Sequence, residues 1–318
     1  MTTMRHSFLI WIALSMLLPL SVSAGDLLVW ARLTFEEDGL AFSPKEQLIL
    51  PFPVMTQNPN AGSYLALRHF PGNGAKSLLK PLAFAEPGSG NHGRAITTGK
   101  FEGNDIAGGE LLLLLDHIGD MPSSSDLMMA FKIFIPEDDI GEYRVTFWNQ
   151  TKSGKKADIR LQLRNAQWNF IKIPLHVPNS IDTGDIVRNL TIYSKTTKTY
   201  HWIVDDIVVW SGHDSQQPQP VAGLAVKADD DDNILTWNAS NDNLAIAFYE
   251  IHRGTVQDFT PSSKTAIGRT SECHFRDVCP MHEDSFYRII AIDYADNRSA
   301  ASNAVSRPRQ HDGGKQQR

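Results

Sequence analysis

The first chemically suggestive feature is a pair of adjacent aspartates, Asp205 and Asp206, inside the apolar run WIVDDIVVW (residues 202–210). Carboxylates in such a run are costly to bury unless a cation or hydrogen-bond donors compensate their charge. Strand alternation predicts that Asp206 shares a face with Val204 and Val208, while Asp205 lies on the opposite face. A catalytic pair would need both carboxylates on one side, so we expect a structural role for them.

The second feature combines aromatic rings with arginine and amide side chains. In EYRVTFWNQ (142–150), alternation places Trp148 on the same face as Arg144, away from the apolar residues. Gln162, in ADIRLQLRN, and Trp168, at the start of a later run, are further candidates. Rings beside polar groups suit the apolar face and the hydroxyls of a sugar. Core packing of each tryptophan and an ordinary solvated sheet face remain the competing interpretations.

Composition and motifs exclude several functional classes. The chain has 318 residues, a net charge of -6 and two cysteines. We expect no nucleic-acid partner, because the charge leaves no basic footprint. No serine-nucleophile elbow, zinc motif, phosphate loop or cysteine–histidine signature is visible. The oligomeric state is not specified by any pattern in the sequence.

The N-terminal residues 1–24 predict a signal peptide, with an apolar run that ends in small residues before Gly25. An uncleaved anchor is the alternative interpretation of this segment. No later stretch is predicted to span a bilayer. We therefore expect an exported protein that resides in the periplasm, at the cell surface or outside the cell, where disulfides are permitted.

The remaining chain divides into two predicted domains. Short runs with alternating polarity and frequent turn residues fill residues 25–212, and no long helical period occurs. A polar stretch at 213–219 predicts a linker, residues 220–307 contain about seven further strand-like runs, and 308–318 predict a disordered tail. The predicted fold class is all-β, with two β-sandwiches in tandem.

The second domain resembles bacterial extracellular fibronectin type III modules. The matching motifs are PVAGLAVKADDDDNILTWNASNDNLAIAFYEIHRG and FYRIIAIDYADNRSAAS, between Pro220 and Ser306. The resemblance implies an immunoglobulin-like sandwich that acts as a spacer or an interaction surface. It also implies inward-facing core positions, namely Trp237, Tyr249, Ile251, Tyr287, Ile289 and Ala291.

One position departs from the fibronectin type III pattern. The family usually has a tyrosine two residues before the position of Tyr287, where this chain has Ser285. Cys273 and Cys279 lie just before this corner, and in an exported protein a disulfide between them would fasten the same region. Two free thiols are the alternative.

The first domain resembles the jelly-roll carbohydrate-binding modules of exported polysaccharide-degrading systems. The resemblance rests on RLTFEEDG (32–39) near its start and on the aspartate pair in its last strand. It implies adjacent terminal strands and a structural calcium ion, Ca2+, bound by Glu36, or less favourably Glu37, and Asp205. The alternative is that the two aspartates accept hydrogen bonds from loop amides without a metal.

These expectations favour a bacterial, non-catalytic protein that binds polysaccharide or glycan through its first domain. The expected ligand-binding residues are Trp148, Arg144, Trp168 and Gln162. Some jelly rolls are polysaccharide lyases, and here such an enzyme would use Arg144 with a loop residue such as His92. A structural or adhesive surface protein without sugar specificity is the third hypothesis.

Overall fold

The computed structural model describes residues 27–33, 41–42, 48–49, 64–71, 78–80, 83–84, 95–97, 106–114, 121–135, 142–149, 151–152, 154–195, 203–278 and 285–306. Every regular element in these ranges is a β-strand, which confirms the all-β prediction. Within them, no helix has the length and apolar character to cross a membrane. Several predictions fall outside the described residues: the signal peptide, Glu36, Glu37, His92, Cys279 and the tail.

The first domain contains fifteen strands among the described residues. In chain order they are β1 (Leu28–Leu33), β2 (Ala41–Phe42), β3 (Leu48–Ile49), β4 (Tyr64–Pro71), β5 (Leu78–Lys80), β6 (Ala83–Phe84), β7 (Ile96–Thr97), β8 (Ile106–Leu114), β9 (Met121–Pro122), β10 (Met128–Ile135), β11 (Glu142–Asn149), β12 (Lys155–Leu161), β13 (Gln167–Pro174), β14 (Ile186–Lys195) and β15 (Ile203–Ser211).

These strands form two antiparallel sheets. The first sheet has the order β13-β10-β15-β7-β6, with β1 paired to β15. The second has the order β12-β11-β14-β8-β4-β3-β2, with β5 on β4 and β9 on β14. We call them the junction sheet and the groove sheet. The expected adjacency of the first and last strands is present, since Leu33 pairs with Ile207.

The inner faces of the two sheets meet in one apolar core. Alternate residues of β10 such as Phe131 and Ile133, and of β11 such as Val145 and Phe147, are fully buried there. The intervening residues face outward, as the period of two requires. The burial of alternate residues on both sheets defines this domain as a β-sandwich.

The predicted alternation along β15 is wrong, because a β-bulge interrupts it. Asp206 has a φ of 51° and, with Ile207, occupies the space opposite a single β10 residue. The extra residue shifts the phase, so Val204 joins Val209 in the core although strict alternation separates them. Aspartate is one of the few residues that tolerate this left-handed backbone.

The bulge places Asp206 against a buried lysine. Lys132 is fully buried on the outer face of β10, and its Nζ donates to Asp206 Oδ2 at 2.8 Å. The same ammonium donates to the carbonyl of Ile246 in the second domain at 2.7 Å. Asp205 is also buried, and its Oδ1 accepts the backbone N–H of Asp206. The carboxylate pair is therefore part of a structural polar centre.

The second domain has seven strands among the described residues. They are β16 (Ala225–Asp229), β17 (Asp232–Thr236), β18 (Ile246–Gly254), β19 (Ala266–Thr270), β20 (His274–Asp277), β21 (Phe286–Asp293) and β22 (Val305–Ser306). They form a three-stranded sheet, β16-β17-β20, and a four-stranded sheet, β19-β18-β21-β22. All six predicted core positions are buried in one cluster. Trp237 packs edge-to-face on Tyr249 at a centroid distance of 5.3 Å.

A second apolar cluster joins the two domains. Val208 and Trp210 of the junction sheet pack with Leu244, Ala247 and Tyr294 of the second domain. The Tyr294 hydroxyl, fully buried, donates to the carbonyl of Asp206 at 3.0 Å. The outer face of the junction sheet is thus covered by the second domain, which explains why both faces of β15 are apolar.

We expect the Lys132–Asp206 pair to contribute strongly to stability. Asp206→Asn keeps a residue that tolerates positive φ but leaves the Lys132 charge buried without its counter-charge. The free energy of unfolding, measured by urea denaturation, should fall by about 3–5 kcal/mol. Lys172→Ala is the matched control. Lys172 pairs with Asp296 across the same junction at 2.9 Å, but Asp296 is exposed.

For that exposed pair we expect a loss below about 1 kcal/mol. Equal losses in the two variants would contradict a special role for the buried pair.

Candidate functional site

A polar groove of about 280 Å³ lies on the outer face of the groove sheet. It is formed where β11 and β12 run antiparallel and β14 flanks β11. Register brings Arg144 directly opposite Arg160 on one side and Tyr193 on the other. Gln162, just beyond the end of β12, also lines the groove. Its walls are thus built by rigid strands, with loop residues only at one end.

Arg144 is the central cation of this groove. Its guanidinium carbon lies 4.3 Å from the centre of the Tyr193 ring, in stacking contact. Its Nε is buried and has no hydrogen-bond partner among the described residues. The side chain as a whole is 38% exposed, so the outer N–H groups of the guanidinium can donate to an oxygen-rich ligand in the groove.

The carboxylate of Asp158 lies beside Arg144 on the outer face of the groove sheet. Asp158 Oδ1 accepts from the Thr146 hydroxyl at 2.6 Å, and Asp158 Oδ2 lies 3.9 Å from Arg144 and 3.4 Å from Lys156. Burial acts to raise the pKa of Asp158, but the Thr146 hydrogen bond and the two cations lower it below its usual value. The carboxylate is therefore ionised at neutral pH and positions both cations.

Trp148 lies farther along the same strand face. It is 39% exposed and is the one aromatic residue among the exposed large hydrophobic side chains of the described chain. Lys156 Nζ lies 5.9 Å from its ring centre. Trp148 lies four positions after Arg144 on the strand, which corresponds to about 13 Å along the sheet. The ring and the groove can therefore contact successive units of an extended ligand.

The structure places Trp168 and Asp205 on the other sheet. Trp168 lies on β13 of the junction sheet, where it packs edge-to-face on Phe134 at 5.9 Å. It is therefore not adjacent to Arg144 or Gln162. Asp205 lies in β15, also on the junction sheet, and its predicted partner Glu36 lies outside the described residues.

The predicted disulfide cannot be traced because Cys279 also lies outside the described residues. Cys273 is half-buried, with its Sγ 3.9 Å from the Tyr249 hydroxyl. Burial raises the pKa of the Cys273 thiol. The bridge stays a prediction.

A second cavity, of about 550 Å³, lies on the second domain beside Glu250. The Glu250 carboxylate is buried and accepts from Arg298, from Arg269 at 2.7 Å and from the His252 ring. Burial acts to raise its pKa, but hydrogen bonds from the two arginines lower the pKa of Glu250 to about 2. The carboxylate of this cavity is therefore already compensated by two guanidinium groups of the same domain.

Three carboxylates could hold a metal ion in the described part of the chain. Asp214, Asp242 and Asp293 each contribute one oxygen to a cluster in which these atoms lie within 4.8 Å of one another. Burial is the largest cause that raises the pKa of Asp242, and it raises the pKa of Asp293 to about 6. Such shifts mark carboxylates whose charge is poorly compensated.

Sequence reasoning missed Tyr193, Lys132 and this carboxylate cluster. Tyr193 could have been identified from the sequence, because alternation in NLTIYS places its side chain on the face away from the core residues Leu190 and Ile192. Lys132 is the one charged residue in the apolar run LMMAFKIFI. The cluster had no local signal, since its members lie at three distant points of the sequence.

The comparisons with known proteins find relatives for part of the chain. No protein-family model matches it. The chain is 35% identical over 98 residues to chitinase A1 of Niallia circulans and 33% identical over 96 residues to chitinase Chi52 of Paenibacillus xylanexedens. Both matches correspond to fibronectin type III-like regions. They cover 30% and 29% of this chain but only 13% and 16% of the chitinases.

Similar solved structures include carbohydrate-binding modules. The CBM22-1 xylan-binding domain of Paenibacillus barcinonensis Xyn10C aligns over 60% of this chain and 98% of its own, with 12% identity and a TM-score of 0.33. The family 11 module of Clostridium thermocellum covers 46% and 88%, with 16% identity and a TM-score of 0.31. Scores this low carry no argument, so the fold assignment rests on the strands themselves.

The lowered pKa of Glu250 predicts that its contribution to the free energy of unfolding is lost in acid. A carboxyl whose pKa falls from 4.5 to about 2 on folding stabilises the folded state fully above pH 4.5, and this contribution is lost as the pH falls towards 2. The difference in unfolding free energy between the wild type and Glu250→Gln should therefore be constant near neutrality and shrink between pH 4.5 and 2.

Urea denaturation across this pH range measures the difference. Glu272→Gln is the control, because Glu272 makes a 3.0 Å contact with an exposed histidine at the surface. A pH-independent difference for Glu250→Gln would show that the arginines do not stabilise its charge.

Proposed function

We propose that this protein binds a polysaccharide or glycan through the outer face of the groove sheet. The observation that carries the proposal is the combination of an exposed tryptophan, Trp148, with a groove built by Arg144, Arg160, Gln162 and Tyr193 on one rigid face. Aromatic rings cover the apolar faces of sugars, while planar guanidinium and amide groups bind their hydroxyl or carboxylate oxygens. The second domain acts as a spacer or interaction surface.

Two further findings support this proposal. The second domain matches regions of two chitinases, which are enzymes named for a polysaccharide substrate. The groove also lies across the core from the junction sheet, so the second domain does not cover it. Export to the periplasm, the cell surface or the medium is part of the proposal, in agreement with the predicted signal peptide.

Trp148→Ala should reduce glycan binding without loss of fold. Removal of an exposed aromatic platform is expected to weaken binding at least tenfold, or ~1.4 kcal/mol, on the best ligand of a glycan array. Trp168→Ala is the matched control on the junction sheet, and it should leave affinity unchanged. If Trp168→Ala abolished binding while Trp148→Ala did not, the site would lie on the other sheet.

The array would also test the alternatives. Absence of binding to all glycans would favour a structural or adhesive role. Ultraviolet absorbance from an unsaturated product on acidic polysaccharides would reveal a lyase.

Arg144→Lys should weaken binding by about as much as Arg144→Ala. Lysine keeps the charge but lacks both the planar guanidinium that contacts the Tyr193 ring and its fork of outer N–H donors. Isothermal titration calorimetry with the array-selected glycan measures the effect. Arg164→Ala is the control, since this arginine is exposed and does not line the groove. Full retention of affinity in Arg144→Lys would reduce the role of Arg144 to charge alone.

We also propose that Asp205, with Glu36, binds a structural calcium ion, as the family resemblance implies. Two observations support this: the Asp205 carboxylate is 1% exposed, and β1, which precedes Glu36, pairs with β15. Calcium would then join the two ends of the first domain. Asp205→Asn should lower the calcium-induced rise in melting temperature, measured by calorimetry with calcium or EDTA.

A further inference from the structure

The three clustered carboxylates lie where the two domains meet. Asp214 follows β15 in the segment predicted as a linker, Asp242 lies in the loop between β17 and β18, and Asp293 is the last residue of β21. Their exposed fractions are 3%, 8% and 0%. Parts of the chain that are distant in sequence thus place three acidic groups in one buried position.

No described cation forms an ion pair with any of these carboxylates. Their hydrogen-bond partners among the described residues are neutral donors: Asp214 accepts from the side chains of Asn243 and Asn297, and Asp293 accepts from Asn297 and from backbone N–H groups. Arg32 acts on Asp242 only through its charge and is itself exposed. Buried carboxylates are ordinarily paired with a cation or bound to a metal.

Two oxygen atoms beside the cluster lack the partners that buried oxygens normally have. Asp242 Oδ2 accepts the N–H of Leu244 at 2.8 Å, but Asp242 Oδ1 is buried and has no hydrogen-bond partner. Asn243 Oδ1 is likewise buried without a partner, while its Nδ2 donates to Asp214. Native proteins rarely leave such acceptors unsatisfied, and a cation bound beside the three carboxylates would satisfy them.

We propose that Asp214, Asp242 and Asp293 bind a calcium ion that fastens the junction between the two domains. The donors are all oxygen atoms, which hard cations prefer. Carboxylate oxygens within 4.8 Å of one another can surround an ion with bonds of about 2.4 Å, the usual length for calcium. Asn243 Oδ1 supplies a further oxygen nearby, and water completes the shell.

The ion would connect three segments that are distant in the sequence. It links the segment after β15 to the loop between β17 and β18 and to the end of β21, next to the apolar contact of Trp210 with Tyr294. Calcium would therefore hold the angle between the domains. The residues differ from those of the site proposed at Asp205, and the inference does not depend on glycan binding.

Calcium titration of the full chain tests the proposal. We expect calorimetry to show calcium binding in the millimolar range or tighter, and calcium to raise the melting temperature relative to EDTA. Asp242→Asn should bind calcium at this site at least tenfold more weakly. In EDTA this variant should melt at or above the wild-type temperature, because one of three repelling charges is removed.

Two control variants distinguish this site from other acidic groups. Asp231→Asn changes an exposed acidic turn and should respond to calcium like the wild type. Asp205→Asn should retain the part of the response that Asp242→Asn loses. An unchanged calcium affinity in Asp242→Asn, a variant that is less stable in EDTA than the wild type, or a wild type without calcium binding would each overturn the proposal.

Discussion

The architecture depends on the buried contact between Lys132 and Asp206. The ammonium bonds to the carboxylate of the last strand of the first domain and to the carbonyl of Ile246 in the second. A buried charge of this kind tolerates neither loss of its partner nor a shift in geometry. The β-bulge at Asp206 supplies that geometry by turning the carboxylate towards the junction. The bulge at Asp206 and the Lys132 contact between the domains are therefore coupled.

This contact also determines which surface is open to ligands. Around Val208 and Trp210, the outer face of the junction sheet is covered by Tyr294 and its apolar neighbours, which removes this part of the surface from contact with a ligand. The groove sheet lies on the far side of the core and keeps Trp148 and the Arg144 groove accessible. The inter-domain contact and the proposed glycan-binding surface thus lie on opposite sheets of one sandwich.

Patterns confined to one strand were predictable from the sequence. Period-two alternation correctly assigned Arg144 and Trp148 to one face of β11, and the fibronectin type III motifs correctly identified core residues such as Trp237 and Tyr249. The bulge in β15 was not predictable, because alternation assumes an uninterrupted period and nothing in DD specifies a positive φ. Lys132 and Tyr193 gain their roles only from pairing with strands distant in sequence. The sequence grouped Trp168 with Trp148 as ligand-binding residues because residue type identifies an aromatic side chain. It does not show to which sheet that side chain belongs.

Buried carboxylates in this protein are compensated in different ways, and the contrast clarifies the junction cluster. Asp206 bonds to Lys132, and Glu250 bonds to two arginines that hold its pKa at about 2. In both cases the fold places a cationic side chain within hydrogen-bond distance. At Asp242 and Asp293 the fold supplies only neutral donors, and burial raises the pKa of both groups. Because the fold itself supplies the cations for Asp206 and Glu250 and supplies none within hydrogen-bond distance of Asp242 and Asp293, a cation from solution completes the junction in the proposed site.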